Sequence, residues 1–352
     1  MLAGGVPCPP FSIAGKQLGS SDERDLFAWA VEAAAQMKPD GVLLENVRGL
    51  SMPRFAGYRQ AVRDRFEELG YIADWRLLEA KDFGVPQLRP RFILVALREE
   101  FAPYFKWPEP TSNMVTVGEA LRPLMAANGW PGVDSWAKQA NKVAPTIVGG
   151  SKKHGGPDLG PTRAKREWAK LRVDGLGVAN EAPGPDTPHE FSPKLTNEMV
   201  ARIQGWGTPG FEWDFGESKG RKTAIYRQIG NAFPPPVALA VGRSIASALR
   251  KEGDALNTLT LGGNSHDEVY RALREHGEFI SVAGLQKALG NSVPVETIER
   301  RLEFIAKDFT VEVKTRGGTS LYRLGEWRAF RGQDDHLRHA VFAESKLRAT
   351  IS

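Results

Sequence analysis

Residues 41–78 read GVLLENVRGLSMPRFAGYRQAVRDRFEELGYIADWRLL. The stretch opens on a short apolar run, GVLLE (41–45), continues through RFAGYRQAVRDRFEELG (54–70) with apolar residues at helical spacing, and closes on YIADWRLL (71–78), which alternates as a strand does. Outward from it, DERDLFAWAVEAAAQMK (22–38) has helical spacing again and RFILVAL (91–97) is a further strand. Strands alternating with helices predict an α/β fold with a parallel, doubly wound sheet over residues 1–101. Such sheets bind ligands outside the C-terminal ends of their strands. Glu45, which closes GVLLE, and Cys8, which follows the apolar MLAGGV, both fall there.

Cys8 is the only cysteine among 352 residues. It can form no internal disulfide, and no Cys/His cluster exists to hold zinc, so no metal is expected. A free cysteine is commonly a small buried hydrophobe. Here Pro7, Pro9 and Pro10 surround it; they fix φ and remove donors, which makes a stiff loop unsuited to a helix or a central strand. Filler and nucleophile both remain open on these residues alone.

The chain has 41% hydrophobic and 25% charged residues, a formal charge of +5, a pI near 9.2 and a mean hydropathy of -0.35. This is the composition of a globular protein large enough for two or three domains. No apolar run has the length of a membrane span and the first residues lack a signal-peptide pattern, so a cytoplasmic location is expected. The positive balance permits a polyanionic partner.

From 102 to 194 the periodicity dissolves into Pro, Gly and Trp, with a basic stretch at Lys152, Lys153, His154, Arg163, Lys165 and Arg166. The ordinary alternative for that stretch is a solvated loop. Helical texture returns in LTNEMVARIQGW (195–206) and in the segment 227–251. Beyond Gly253, SHDEVYRALREHG, SVAGLQKALG and VPVETIERRLEFIAKDF read as three short amphipathic helices, with Ser265 and Ser281 as N-caps and Gly277 and Gly290 as stops. TVEVKTRGGTSLYRL then alternates around Gly317-Gly318 as a hairpin. Three helices and a hairpin predict a winged helix over 253–330, followed by a tail at 331–352. Its third helix alternates acids with bases, which suits protein contact somewhat better than a DNA groove.

Five stretches, in one order, resemble the DNA (cytosine-5)-methyltransferase family. GVPCPPFSIAGKQLG is similar to its catalytic loop, LLENVRGL to its Glu-Asn-Val segment and FGVPQLRPRFILVAL to its Gln-x-Arg-x-Arg segment. LTNEMVARIQGW is similar to the helix after its target-recognition region, and YRQIGNAFPPPVALAVG to its C-terminal cofactor-closing segment. The resemblance covers roughly residues 1–250 and implies a Rossmann-like methyltransferase sheet at 1–101 and 195–252, with a loop-rich recognition lobe at 102–194.

The chemistry implied by the resemblance makes sense of these residue types. Carbon 5 of cytosine is a poor nucleophile until a thiolate adds to carbon 6, the role implied for Cys8. Protonation at N3 eases that addition, and a carboxylic acid with a raised pKa suits it, which is the role implied for Glu45. Arg89 is expected to hold the exocyclic oxygen of the base and Arg91 to brace the site; Asn46 is expected to orient the loop. Outside this context Glu45 would be an ordinary cap or surface acid and the arginines a salt-bridge pair. The target atom is shielded inside a duplex, so the base must be flipped out. Double-stranded DNA is therefore the expected partner, contacted by Thr146, Lys152, Lys153, Arg163, Lys165 and Arg166.

S-adenosyl-L-methionine is the implied cofactor, with Pro7, Asn231 and Ala232 as contacts. The family holds it on a glycine-rich turn followed by an acid, ahead of the catalytic loop. Neither is found in the sequence, where the loop begins at residue 6. The sheet is therefore expected to be truncated, through a late start codon or a split gene, and in the second case a separate polypeptide is the expected source of the missing segments. A non-catalytic DNA- or partner-binding remnant is the alternative function. A thiol hydrolase would need a histidine base, and none of the six histidines sits in a persuasive segment.

Overall fold

The computed structural model describes residues 1–5, 26–52, 55–111, 114–149, 157–208, 210–212, 222–256 and 267–327. The chain divides into two compact units: residues 1–77, 92–105 and 248–352 form the first, and residues 78–91 and 106–247 the second. This division differs from the expected boundaries at 101, 194 and 252. Gln87, Arg89 and the helical segment after 194 group with the second unit, in which their side chains are buried.

The first unit is built on β1 (Leu2–Gly5), α1 (Leu26–Met37), β2 (Gly41–Val47), α2 (Ala56–Glu68), β3 (Tyr71–Glu79) and β4 (Pro90–Arg98). The strand order is β1-β2-β4-β3, and β1 runs parallel to β2. Strict alternation of strand and helix fails between β3 and β4, where one short 3-10 turn, Ala80–Phe83, and a loop replace the helix. The alternating burial of β3 fits its place at one end of this order, whereas Arg91–Leu97 of β4 are buried without a break. A strand covered on both faces reads as a continuous apolar run. On α2, Tyr58, Val62 and Phe66 fall on one face and are fully buried. They share a core with Val42, Leu44, Tyr71 and Leu94, to which a stacked Trp75–Phe92 pair adds, centroids 5.0 Å apart.

The second unit contains α3 (Val117–Met125), α4 (Val133–Gln139), α5 (Thr162–Lys170), α6 (Asn197–Ile203), α7 (Lys222–Asn231) and α8 (Pro235–Leu249), the last running on into the first unit. The region expected to be irregular thus carries three helices of seven to nine residues. Tryptophans hold it together. Trp130, Trp136 and Trp168 are at most 2% exposed, in one cluster with Leu121, Ile147, Met199, Tyr226 and Ile229. Two of their indole N–H groups satisfy loop carbonyls, Trp130 to Pro188 and Trp136 to Arg172, each at 3.0 Å. Thr116 caps α3 in a reciprocal box with Glu119.

The C-terminal part of the first unit follows: α9 (Glu268–His276), β5 (Ile280–Ser281), α10 (Val282–Ala288), α11 (Val295–Asp308), β6 (Phe309–Arg316) and β7 (Thr319–Trp327), with sheet order β5-β7-β6. Asp267 caps α9, its carboxylate accepting from Val269 N at 2.9 Å; the expected cap Ser265 lies outside the described residues. Ser281 caps α10 as expected. Gly317 and Gly318 take φ of 58° and 79°, the pair of positive values that a two-residue turn matching the strand twist requires.

This C-terminal part packs on α2. Ala61 joins its core of Tyr270, Leu273, Ile298, Leu302 and Phe309. Beside that contact, Asp64 accepts from the Tyr270 hydroxyl, from Gln60 at 2.7 Å and from Arg274 at 2.6 Å, and Arg274 also meets Glu67 at 2.6 Å. No helix among the described residues is long and apolar enough to cross a membrane.

Candidate active site

In the first unit, β1 and β2 run side by side with Gly5 opposite Glu45. The absence of a side chain at residue 5 has a steric reason: a Cβ there would lie 3.3 Å from Glu45 Oε2. The carboxylate therefore lies over the end of β1, and the next residues in sequence lead to Cys8. Pro7 and Cys8 themselves lie outside the described residues. Asn46, fully buried, accepts from Val47 N at 2.7 Å through Oδ1. Its Nδ2 has no acceptor among the described residues. An amide left so costs about 1–3 kcal/mol, which fits a donor kept for a neighbouring loop.

In the second unit a buried polar network joins four segments distant in sequence. Gln87 Nε2 donates to Gln204 Oε1 at 2.7 Å and to Ile203 O at 3.2 Å, while its Oε1 accepts from Ile147 N at 2.8 Å. Gln204 Nε2 donates to Ile229 O at 2.7 Å and to Ala232 O at 3.3 Å. Arg89 donates to Ile147 O at 2.6 Å, to Gly230 O at 2.7 Å and to Ala232 O at 2.9 Å. The segments carrying QLR, TIV, QGW and IGNA are thereby locked together. Close approach completes the joint: a Cβ on Gly230 would lie 2.6 Å from Gly149 Cα, and one on Gly149 would lie 2.2 Å from Asn231 Oδ1.

The two arginines of QLRPR differ in their surroundings. Arg89 is 1% exposed with its fork spent on three backbone carbonyls. Such a placement braces the segments that meet there, the role expected of Arg91. Arg91 stands outside the carbonyl triad, at the start of β4, with Nη1 donating to Pro90 O at 3.0 Å.

Of the expected cofactor contacts, Asn231 is exposed and Ala232 half-buried at the end of α7. Arg89 and Gln204 fix the Ala232 carbonyl and occupy it. Among the described residues no group of His, Cys, Asp or Glu could hold a metal ion.

The expected DNA contacts separate. Arg163 and Arg166 are exposed on α5, which Trp168 anchors in the core. Lys165 is instead paired with Asp158 at 2.7 Å, and the Thr146 hydroxyl donates to Leu88 O, so both are committed within the protein. Lys152 and Lys153 lie outside the described residues. Gln204 escaped the sequence reading; its only signal was a glutamine closing an otherwise apolar helical face.

Residues 1–247 match the family model described as C-5 cytosine-specific DNA methylase. The Type II methyltransferase M.NaeI of Lentzea aerocolonigenes is 58% identical over 348 residues, covering 99% of this chain and 83% of that protein. The Type II methyltransferase M.NgoMIV of Neisseria gonorrhoeae is 48% identical over 256 residues, covering 72% of this chain and 78% of that protein. Among solved structures, the Entamoeba histolytica methyltransferase EhMeth covers 71% of this chain and 77% of its own, at 14% identity and a TM-score of 0.44.

Proposed function

The chain belongs to the C-5 cytosine-specific DNA methylase family, and from that premise we propose how its residues divide the work of a Type II restriction-modification methyltransferase acting on cytosine in duplex DNA. The observation that carries the reading is the seating of the Glu45 carboxylate over Gly5, at the strand end that leads to the sole thiol.

The Cys8 thiolate adds to carbon 6 of the flipped cytosine, which turns carbon 5 into an enamine-like nucleophile. Glu45, as a carboxylic acid, gives a proton to N3 as charge develops, and the charged fork of Arg91 holds the exocyclic oxygen. Asn46 holds the catalytic loop through its buried amide. Arg89, Gln87 and Gln204 tie the Gln-x-Arg turn to the segment 229–232. The carbon 5 proton passes to solvent water and N3 returns its proton to Glu45, so the thiolate leaves and the ring is restored.

S-adenosyl-L-methionine, the methyl donor assigned here, supplies an electrophilic methyl group. Asn231 and Ala232, with Pro7, suit one flank of such a molecule and fall short of a complete site. DNA is gripped by phosphate contacts from the region 102–194, with Arg163 and Arg166 as its exposed cations on α5 and Lys152 and Lys153 beside them in sequence. The C-terminal part is read as a winged helix, and the protein is placed in the cytoplasm of a bacterium.

Expression of the full-length protein in a host without cytosine methylation, followed by nucleoside analysis of its DNA, tests the reaction. The expected product is 5-methylcytosine at one short sequence. Methylation on an exocyclic nitrogen instead would overturn the reading.

A further inference from the structure

The part of the chain beyond residue 247 is not covered by the match to the methylase family. In a helix-groove mode of DNA binding, α11 would be the reading helix. Its charges oppose that. Glu296, Glu299 and Glu303 are exposed alongside Arg300, and Arg301 is tied at 2.6 Å to Glu268 and at 3.9 Å to Asp267 of the α9 cap.

The hairpin has the opposite character. Lys314, Thr315, Arg316, Gly317, Gly318, Thr319 and Ser320 are all exposed, and this tip holds two cations, three hydroxyls and no acid. The acid on β6, Glu312, is paired at 2.7 Å with Arg323 at the base of the hairpin. The two positive-φ glycines leave the turn without side chains, so a phosphate backbone can approach its amides closely. The domain carrying the tip is fastened to α2 by the Asp64–Tyr270–Arg274 cluster and the Ala61 contact. A tip held in this way loses little conformational freedom on binding.

We propose that the β6–β7 hairpin, and not α11, contacts DNA, its tip binding phosphates of the duplex that the methyltransferase acts on. This rests on the reading that duplex DNA is the substrate. Two cations on two phosphates should contribute a slope of about 1.8 to the dependence of log affinity on log salt, at about 0.9 per phosphate.

The experiment uses the full-length protein and fluorescently labelled duplex DNA, long or trimmed to the methylated sequence, titrated over a range of salt. The double variant Lys314→Glu/Arg316→Glu should lower the slope on the long duplex by about 2. It should also bind the long duplex more weakly, while methylating the trimmed duplex at saturating DNA as the unmodified protein does. An unchanged slope and affinity would overturn the proposal and leave the hairpin to a protein partner. A loss reproduced by Arg300→Ala on α11 would overturn it in favour of the helix. If the unmodified protein binds DNA but methylates none, the catalytic reading fails while the slope comparison still decides the hairpin.

Discussion

Gln87 and Gln204 meet side chain to side chain at 2.7 Å, 117 residues apart in sequence and fully buried. Each also bonds main-chain groups: Gln87 serves Ile147 N and Gln204 serves Ile229 O. In a buried network each bond matters less for its own strength than for the groups stranded when it goes.

Gln87→Leu would strand Ile147 N and one end of Gln204. With about 1–3 kcal/mol for each buried group left unsatisfied, a loss of about 2–6 kcal/mol is expected. Denaturant titration measures it. The double variant with Gln204→Leu should cost less than the sum of the single losses, because both remove the same bond. Additive losses would mean that the glutamines act separately.

The two arginines should part company in the same kind of experiment. Arg89→Met removes the Arg89 bonds to the carbonyls of Ile147, Gly230 and Ala232, of which Ala232 keeps Gln204, so thermal unfolding should come at clearly lower temperature. Arg91→Lys keeps a charge and loses the fork, so melting should hold while methyl transfer falls on the order of tenfold to a hundredfold, as for loss of one positioned donor. The reverse pattern would restore the roles as first read from the sequence.

Glu45→Gln keeps the shape of the side chain and removes the acid. Activity should fall on the order of a hundredfold or more, with melting unchanged. Gly5→Ala gives the position a Cβ only 3.3 Å from Glu45 Oε2, so it should lower activity by pushing the carboxylate aside. Full activity in Gly5→Ala would show that the carboxylate does not need that seat.

Burial pushes the carboxyl of Asp64 above its ordinary value of 3.8, outweighing the bonds from Tyr270, Arg274 and Gln60 that pull it down. An acid with a raised folded-state pKa contributes stability that is fully present below its unfolded value and lost as pH rises through the folded one. Stability should therefore decline upward from about pH 4 on account of this group. Asp64→Asn should remove that part of the slope in melting curves taken against pH. A variant with the unmodified slope would exclude Asp64 as its source.

Much of this architecture was legible in local sequence. Continuous apolar runs gave β2 and β4, four-residue spacing gave α2, and Gly317-Gly318 gave the turn of the hairpin. What escaped was set by distant partners. Nothing in QLRPR says which arginine will find three carbonyls from segments 147 and 230–232 around it. Asp267 caps α9 because the helix starts where Val269 and Tyr270 enter the core, a tertiary fact. The region 102–194 has little periodicity because α4 and α5 are each buried through a single tryptophan, Trp136 and Trp168, and only α3 has an apolar face, of Val117, Leu121 and Met125. Lys165 and Thr146 looked available for DNA because their partners, Asp158 and Leu88 O, bear no marker in the sequence.

The most direct test of the account is a covalent trap on Cys8. Full-length protein is incubated with S-adenosyl-L-methionine and duplex DNA carrying 5-fluorocytosine, and the products are separated under denaturing conditions. After thiolate addition and methyl transfer, carbon 5 carries fluorine where a proton would have been lost, so the thiolate cannot be expelled and the adduct persists. The account predicts an adduct with the unmodified protein, mapped by mass spectrometry to Cys8, and none with Cys8→Ser. An adduct formed equally well by Cys8→Ser would contradict it.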